Sequence, residues 1–431
     1  MWRAIYSLIL TLAMPFVFAR LAWRGIRNRG YWDHWGHRLG ALGFDRGQQE
    51  WIWVHAVSVG EAQAAAPLVR ALQDEYPEKS LLVTTTTPTG RERVVQTLGD
   101  SVAWQYAPYD TPLTVARFLN SLKPRALIVM ETELWPNTIA ACASRSIPVV
   151  LANARLSARS ASRYRYIGAL IATTLEKLTA LGAQSKADRE RLIALGASPS
   201  ALVTGNIKFD LRLPASVQES GRALRRIWGQ DRSVWIAAST HEGEEEQVLE
   251  AFTDVREQHP DCLLVLVPRH PERFARAAQL ARKAGYRCVL RSESPEQCAD
   301  VDVYLGDTMG ELPVLYAGAD VAFVGGSLVP VGGHNMLEPA ALGVPAVYGP
   351  YLHNFEMIAG ELARQGGGYV VTDTIRLGQQ VAALLHDANL RHASGERGRQ
   401  FVAANRGALS RSADLVLSAI GGSKPADVSR N

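Results

Sequence analysis

The chain is poor in the features that would make it easy to classify. Only four cysteines occur in 431 residues, Cys142, Cys262, Cys288 and Cys298, and none forms a CxxC pair. A disulfide scaffold and a zinc ribbon are therefore excluded, and a reducing compartment fits best. GxGxxG and GxxxxGK[ST] are both absent, which weakens dinucleotide and P-loop readings. Internal repeats, low-complexity tracts and long charge runs are missing too. Net charge is small, +4, and residues 1 to 30 supply more than all of it. Arg3, Arg20, Arg24, Arg27 and Arg29 stand there without one acid, so the remaining body is close to neutral. A neutral body argues against a protein whose folded surface binds nucleic acid.

What is present is an ordinary globular composition, 47% hydrophobic and 20% charged, long enough for two or three domains. From Ala4 to Ala19 no residue is charged, and Ile5, Leu8, Ile9, Leu10, Leu12, Phe16, Val17 and Phe18 make the run strongly apolar. It is slightly short of the roughly 20 residues that a spanning helix needs, so it either crosses the bilayer or lies in one leaflet. Val17-Phe18-Ala19 resembles a signal-peptidase site. Four of the five arginines follow the run, however, and this favours an uncleaved anchor with the body in the cytoplasm. His34 and His37 stand three apart without a partner motif, so a solvated or interfacial pair is the better reading than a metal site.

Beyond the anchor, short aliphatic runs alternate with helical patterns, the signature of parallel α/β sheets. Trp51 to Ala56, Leu81 to Thr84, Ala126 to Met130 and Val149 to Ala152 build one Rossmann-like sheet, complete by about residue 205. Val234 to Ala238, Leu263 to Val267, Val301 to Leu305, Val321 to Val324 and Val344 to Tyr348 begin a second. The expected division is an anchor and basic flank, 1–30, and a first domain, 31–210. A linker, 211–232, then leads to a second domain, 233–421, closed by a C-terminal helix, and to a frayed tail from Gly422 to Asn431. Two such domains facing one another would place the carboxyl ends of both sheets at a shared cleft, where open α/β folds bind ligands.

The chemistry-bearing residues fall at those strand ends. His55-Ala56-Val57-Ser58-Val59-Gly60-Glu61 closes the first strand, with Gly60 read as a tight turn and Glu61 on the first helical turn. A helix-start carboxylate favoured by the dipole is the equally weighted alternative. Glu131, with Glu133 beyond it, occupies the same place after a later strand. Two carboxylates at one cleft suit acid/base work, because like charges raise at least one pKa. Lys208, in Gly205-Asn206-Ile207-Lys208-Phe209-Asp210, could neutralise an anionic substrate. In the second half, Arg269 and His270 open a helix in a manner that suits phosphate. Gly306-Asp307-Thr308-Met309-Gly310-Glu311-Leu312 repeats the strand, glycine and helix-start arrangement. Gly332-Gly333-His334-Asn335-Met336-Leu337-Glu338 sets Glu338 to accept two ribose hydroxyls. Glu244-Glu245-Glu246 is read as the solvated start of a helix.

Taken in order, these motifs, together with Glu131-Thr132-Glu133-Leu134-Trp135-Pro136-Asn137, Asn153-Ala154-Arg155-Leu156-Ser157 and Pro268 to Phe274, resemble the 3-deoxy-D-manno-octulosonic acid (Kdo) transferase family over nearly the whole chain. The resemblance implies a GT-B glycosyltransferase, anchored at the inner membrane with its catalytic body on the cytoplasmic side. It implies transfer of Kdo from CMP-Kdo to the lipid A precursor (lipid IVA), with inversion and without a metal ion or other cofactor. Glu61 would be the general base, Glu131 and Lys208 would support the transition state, and Ser58 and Gly60 would face the acceptor. Arg269, His270, Met309, Gly310, Glu311, Leu312, Asn335, Met336, Leu337 and Glu338 would hold CMP, Met336 through its backbone. The rival readings are another GT-B enzyme using a UDP-sugar, transferase or epimerase, and a membrane-tethered binding protein with a degenerate site.

Overall fold

A computed structural model describes residues 1–211, 213–293 and 298–421, so the expected frayed tail lies outside the described residues. The chain divides into two compact units, one formed by Met1–Asp210 with the segment from Arg406 onward, the other by Leu211–Asn405.

The sheet of the first unit contains β1 (Trp51–His55), β2 (Ser80–Thr85), β3 (Ala103–Tyr106), β4 (Ala126–Met130), β5 (Val149–Ala154), β6 (Ala180–Ala183) and β7 (Leu202–Val203). All are parallel, in the order β3-β2-β1-β4-β5-β6-β7. Every residue of β1, β4 and β5 is buried, which is why these strands read as unbroken apolar runs rather than alternating ones. One face carries Trp53 against Phe118, with ring centroids 4.7 Å apart. The other packs Ile52 and Val54 under Ala65, Leu68 and Leu72 of the helix Val59–Glu75. The strand order reverses between β1 and β4, and that switch point opens a crevice outside their carboxyl ends.

The second unit repeats the plan with β8 (Val234–Thr240), β9 (Leu263–Pro268), β10 (Cys288–Leu290), β11 (Val303–Leu305), β12 (Val321–Val324), β13 (Ala346–Tyr348) and β14 (Gly368–Val370). Its parallel order is β10-β11-β9-β8-β12-β13-β14, with the reversal between β8 and β12.

Two boundaries differ from the sequence expectation. Most of the expected linker is a helix, Ser216–Trp228, whose Val217, Gly221, Leu224 and Trp228 are buried at helical spacing. Leu224 and Trp228 belong to the core of the second unit, and Arg225 pairs with Asp320 at 2.9 Å. The helix Ala408–Ile420, expected to close the second domain, instead completes the first: Ala408, Val416 and Ile420 are buried with Ile52, Leu68 and Val150. Asp210 fixes its start, accepting from the Gly407 and Leu409 N–H groups at 2.6 Å each.

The apolar segment is one helix, Trp2–Arg27, long and apolar enough by length and composition to cross a membrane.

Candidate active site

In the first unit, Ser58 caps the helix Val59–Glu75, accepting from the Glu61 N–H at 3.2 Å and donating its hydroxyl to Glu61 Oε1 at 3.0 Å. The Val57 N–H donates to Glu61 Oε2 at 2.9 Å. This is a variant of the capping box, in which the carboxylate reaches back to the amide before the cap and to the cap hydroxyl, and it fixes Glu61 beyond β1 at the switch point. Glu61 is buried. Burial, reinforced by the charges of Glu133 and Glu131, pushes its carboxyl up to about 7 against the opposing hydrogen bonds of Val57 and Ser58. Gly60 is not the tight turn expected of it. It is a helical, exposed residue without positive φ, and apart from its two chain neighbours a Cβ there would meet nothing nearer than Ser58 Oγ at 4.0 Å.

Glu131 follows β4 with φ 54°, and Asn153 near the end of β5 has φ 53°. Non-glycine residues in this region mark backbone held under strain by its surroundings. Glu131 Oε2 lies 3.4 Å from Arg155 Nη2. Asn153 Oδ1 accepts from the Ile207 N–H at 3.1 Å, and Asn206 Oδ1 from the Lys208 N–H at 3.0 Å, so β5 holds the short turn Ile207–Phe209. Burial lowers the pKa of the Lys208 ammonium, Glu131 opposing and Arg155 assisting. Burial raises the pKa of Glu133, and it accepts from the Trp135 indole at 2.8 Å. Trp135 in turn stands edge-on to His55, centroids 4.4 Å apart. Glu61, Glu131, Glu133 and Lys208 thus gather at the carboxyl ends of β1, β4 and β5.

In the second unit, Arg269 follows β9, its N–H donating to Thr240 O at 2.9 Å. His270 lies edge-on to His241, centroids 5.4 Å apart. His241 stacks on His334 at 5.0 Å, with their Nε2 atoms 2.7 Å apart. Burial, with His241, Arg269 and His270 nearby, drives His334 down to about 3, so it is neutral at physiological pH. Asn335 Nδ2 donates to Glu338 Oε1 at 3.0 Å, and burial raises the Glu338 carboxyl. Met336 and Leu337 are buried in the interior, leaving backbone as what they can offer a ligand. Met309 and Gly310 are exposed, with Gly310 at φ 85°. Glu311 is held by Arg291 at 3.0 and 3.2 Å and by the Thr308 hydroxyl. Arg269, His270, Met309 to Glu311, Asn335 and Met336 therefore stand on the loops that follow strands of this sheet, and Leu312, Leu337 and Glu338 on the first turns of the short helices Leu312–Ala317 and Leu337–Ala341. Among the described residues, no group of three or more His, Cys, Asp or Glu is placed to hold a metal ion.

The match to known proteins follows the same division. Residues 33–211 fit the family described as 3-deoxy-D-manno-octulosonic-acid transferase (kdotransferase), and residues 233–401 fit glycosyl transferases group 1. A 3-deoxy-D-manno-octulosonic acid transferase of Haemophilus influenzae is 42% identical over 96% of this chain and 98% of its own. The chain belongs to the Kdo transferase family. The Bordetella pertussis member is 36% identical, covering 96% of this chain and 99% of its own. By fold the chain is similar to Acinetobacter baumannii MurG (TM-score 0.57, 12% identity, 86% of this chain and 99% of that one). It is also similar to a Listeria monocytogenes protein described as a UDP-N-acetylglucosamine 2-epimerase (TM-score 0.55, 14% identity, 88% and 99%). This Kdo transferase is a glycosyltransferase with the two-domain GT-B fold.

Sequence reasoning misplaced one acidic run and passed over one histidine. Glu244 and Glu245 are wholly buried rather than solvated. Glu244 accepts from the N–H groups of His241, Gly326, Ser327 and Leu328 at 2.7–3.0 Å, tying the loop after β12 to the turn after β8. Glu245 takes a two-point ion pair from Arg273, at 3.2 and 2.8 Å. Arg273 therefore serves the fold. The signal for His241 is its place one residue past β8, the position that Glu131 holds after β4 and Arg269 after β9.

Proposed function

We propose that the protein transfers Kdo from CMP-Kdo to the lipid A precursor in lipopolysaccharide core synthesis, at the cytoplasmic face of the inner membrane, with inversion. The observation that carries the mechanism is Glu61: a buried carboxylate with a pKa near 7 next to an open, exposed Gly60. A base poised near neutrality removes a sugar hydroxyl proton most effectively. The acceptor oxygen attacks the anomeric carbon of Kdo while the bond from that carbon to the CMP phosphate oxygen breaks. The hydroxyl proton passes to Glu61, and CMP departs with the electron pair.

Lys208, close enough to Glu131 to feel its charge, supplies positive charge to the carboxylate-bearing donor sugar as the bond breaks, and Glu131 holds it there. Arg269 and His270 meet the phosphate, so transfer needs no metal ion. Glu338, oriented by Asn335, accepts the ribose hydroxyls. The Met309 to Leu312 turn and the backbone of Met336 and Leu337 complete the nucleotide seat, and Ser58 holds Glu61 toward the acceptor.

The test is mass spectrometry of the product formed from CMP-Kdo and a tetra-acylated, bis-phosphorylated lipid A precursor. A gain of whole Kdo units is expected, with Glu61→Ala losing it while CMP still binds. No gain, or CMP binding no tighter than UDP, would overturn the substrate assignment. Undiminished turnover by Glu61→Ala would remove it as base.

A further inference from the structure

The helix Trp2–Arg27 is not a free tether. Tyr6, Leu10, Ala13, Val17, Leu21 and Gly25, spaced three or four apart, are partly or wholly covered by the first unit. Contacts with the helices Pro136–Ala143 and Gly168–Leu175 run beneath it. Polar bonds secure its start. The Tyr6 hydroxyl donates to Asp110 at 3.0 Å, and the Ser7 hydroxyl donates to Asn137 Oδ1 at 2.8 Å. Asp110 is itself buried and accepts from the Asn137 and Thr138 N–H groups at 3.0 and 2.7 Å. Aromatic packing secures its far end. Phe18 lies 5.3 Å from Trp35 and 5.7 Å from Tyr109. Trp32 donates its indole N–H to Ala22 O at 2.9 Å, in a space that only Gly25 leaves open: a Cβ there would stand 1.8 Å from the Trp32 ring.

From Tyr6 to Gly25 the covered stripe runs roughly 30 Å at helical rise, about the thickness of the hydrocarbon core of a bilayer. A helix crossing the bilayer would carry that whole length, and the polar body clamped to it, into hydrocarbon, or would have to break the clamp. The opposite face is continuous and apolar: Ile5, Leu8, Ile9, Leu12, Phe16, Trp23 and Ile26 are all exposed. Arg3, Arg20, Arg24 and Arg27 are exposed on the same helix, without an acid. An apolar stripe flanked by cations complements an anionic lipid surface, with an interfacial tryptophan at 58% exposure among them.

We infer that the helix lies in the plane of one leaflet, its apolar stripe sunk among acyl chains and its arginines on anionic headgroups, without crossing the bilayer. This goes beyond the proposed reaction and does not depend on which sugar is moved. The test places single cysteines at the two ends of the full chain, Arg3→Cys and Arg27→Cys, and labels each with a membrane-impermeant maleimide in spheroplasts and in inverted inner-membrane vesicles. The parent protein gives the background, its Cys142, Cys262 and Cys298 being buried and Cys288 half-buried. Both ends are expected to react in the same preparation. Reaction of both in inverted vesicles also upholds the cytoplasmic placement proposed above, and reaction of both in spheroplasts overturns that placement while leaving the in-plane helix standing. Ends that react in opposite preparations, or Arg3→Cys reacting only after detergent, would overturn the inference.

Discussion

The raised pKa of Glu61 makes a quantitative prediction about both stability and rate. The carboxyl moves from an ordinary 4.5 to about 7 in the fold. A raised folded-state value means that folding is favoured with the group protonated. The native state keeps that advantage below about 4.5 and loses it as the pH rises through 7. A shift of this size corresponds to about 3 kcal/mol between the two limits. Glu61→Gln cannot ionise. Measured by urea unfolding across pH 5 to 8.5, its stability relative to the parent is expected to rise by about 3 kcal/mol and then level off above pH 7. Any pH-independent cost of altering the Ser58 bond shifts the whole curve and leaves its slope. The rate carries the opposite sign, because a base must be ionised: the parent's turnover is expected to climb with pH through an apparent pKa near 7. Glu61→Gln is expected to lose ~10²–10⁴-fold in kcat. A flat stability difference over this range, or an activity limb centred near 4.5, would refute the argument that burial and the neighbouring acids set this group.

Other perturbations separate catalytic from structural roles. Lys208→Met is expected to cut kcat by ~10²-fold or more while leaving CMP affinity, read by calorimetry, unchanged, since the lysine and the proposed nucleotide seat belong to different units. Glu338→Ala is expected to weaken CMP binding about tenfold, the scale of a lost charged hydrogen bond, with little change in thermal stability. Glu244→Gln is expected to lower stability by ~1–3 kcal/mol in thermal unfolding, because four backbone donors lose the charge of their shared acceptor. Arg273→Met leaves Glu245 buried without its ion pair and is expected to cost ~3–5 kcal/mol, an effect that Glu245→Gln in the same chain should partly reverse.

The sheets were legible because both of their faces are covered, so runs such as Ala126 to Met130 are apolar at every position. The strands β3, β6, β7, β10 and β14 leave only two to four residues of pattern each, broken in places by Gln105, Gly182 and Gly368, whereas the equally short β11, β12 and β13 are aliphatic or aromatic throughout. The helix Ser216–Trp228 was hidden by the polar residues between its apolar ones, although Val217, Leu224 and Trp228 already carried the period. That Glu61 and Glu131 follow β1 and β4 was legible because the apolar runs before them end sharply, whereas the approach of Lys208 to Glu131 depends on the turn Ile207–Phe209 held by Asn153. The fate of Glu244 could not. Its four partners come from the turn after β8 and the loop after β12, and nothing local distinguishes it from its neighbour Glu246, which stays exposed. Gly60 was misread for a related reason: a glycine before a helix suggests a turn, whereas its backbone is ordinary helix. Ion pairing and buried acceptance are properties of the assembled sheet, and a linear pattern does not encode which loop will close over which carboxylate.

The return of Ala408–Ile420 to the first unit orders events during synthesis. All of Leu211–Asn405 emerges from the ribosome before the residues that fill the last groove beside β5 and β6 and cap onto Asp210. The second unit can therefore be finished while the half bearing Glu61, begun earlier, still has an open seam. A nascent chain halted near residue 405 would hold every residue of the second unit and would lack the helix that closes the core of the first. Burial of Ala408, Val416 and Ile420 with Ile52, Leu68 and Val150 therefore waits on the last stretch of the chain to be made.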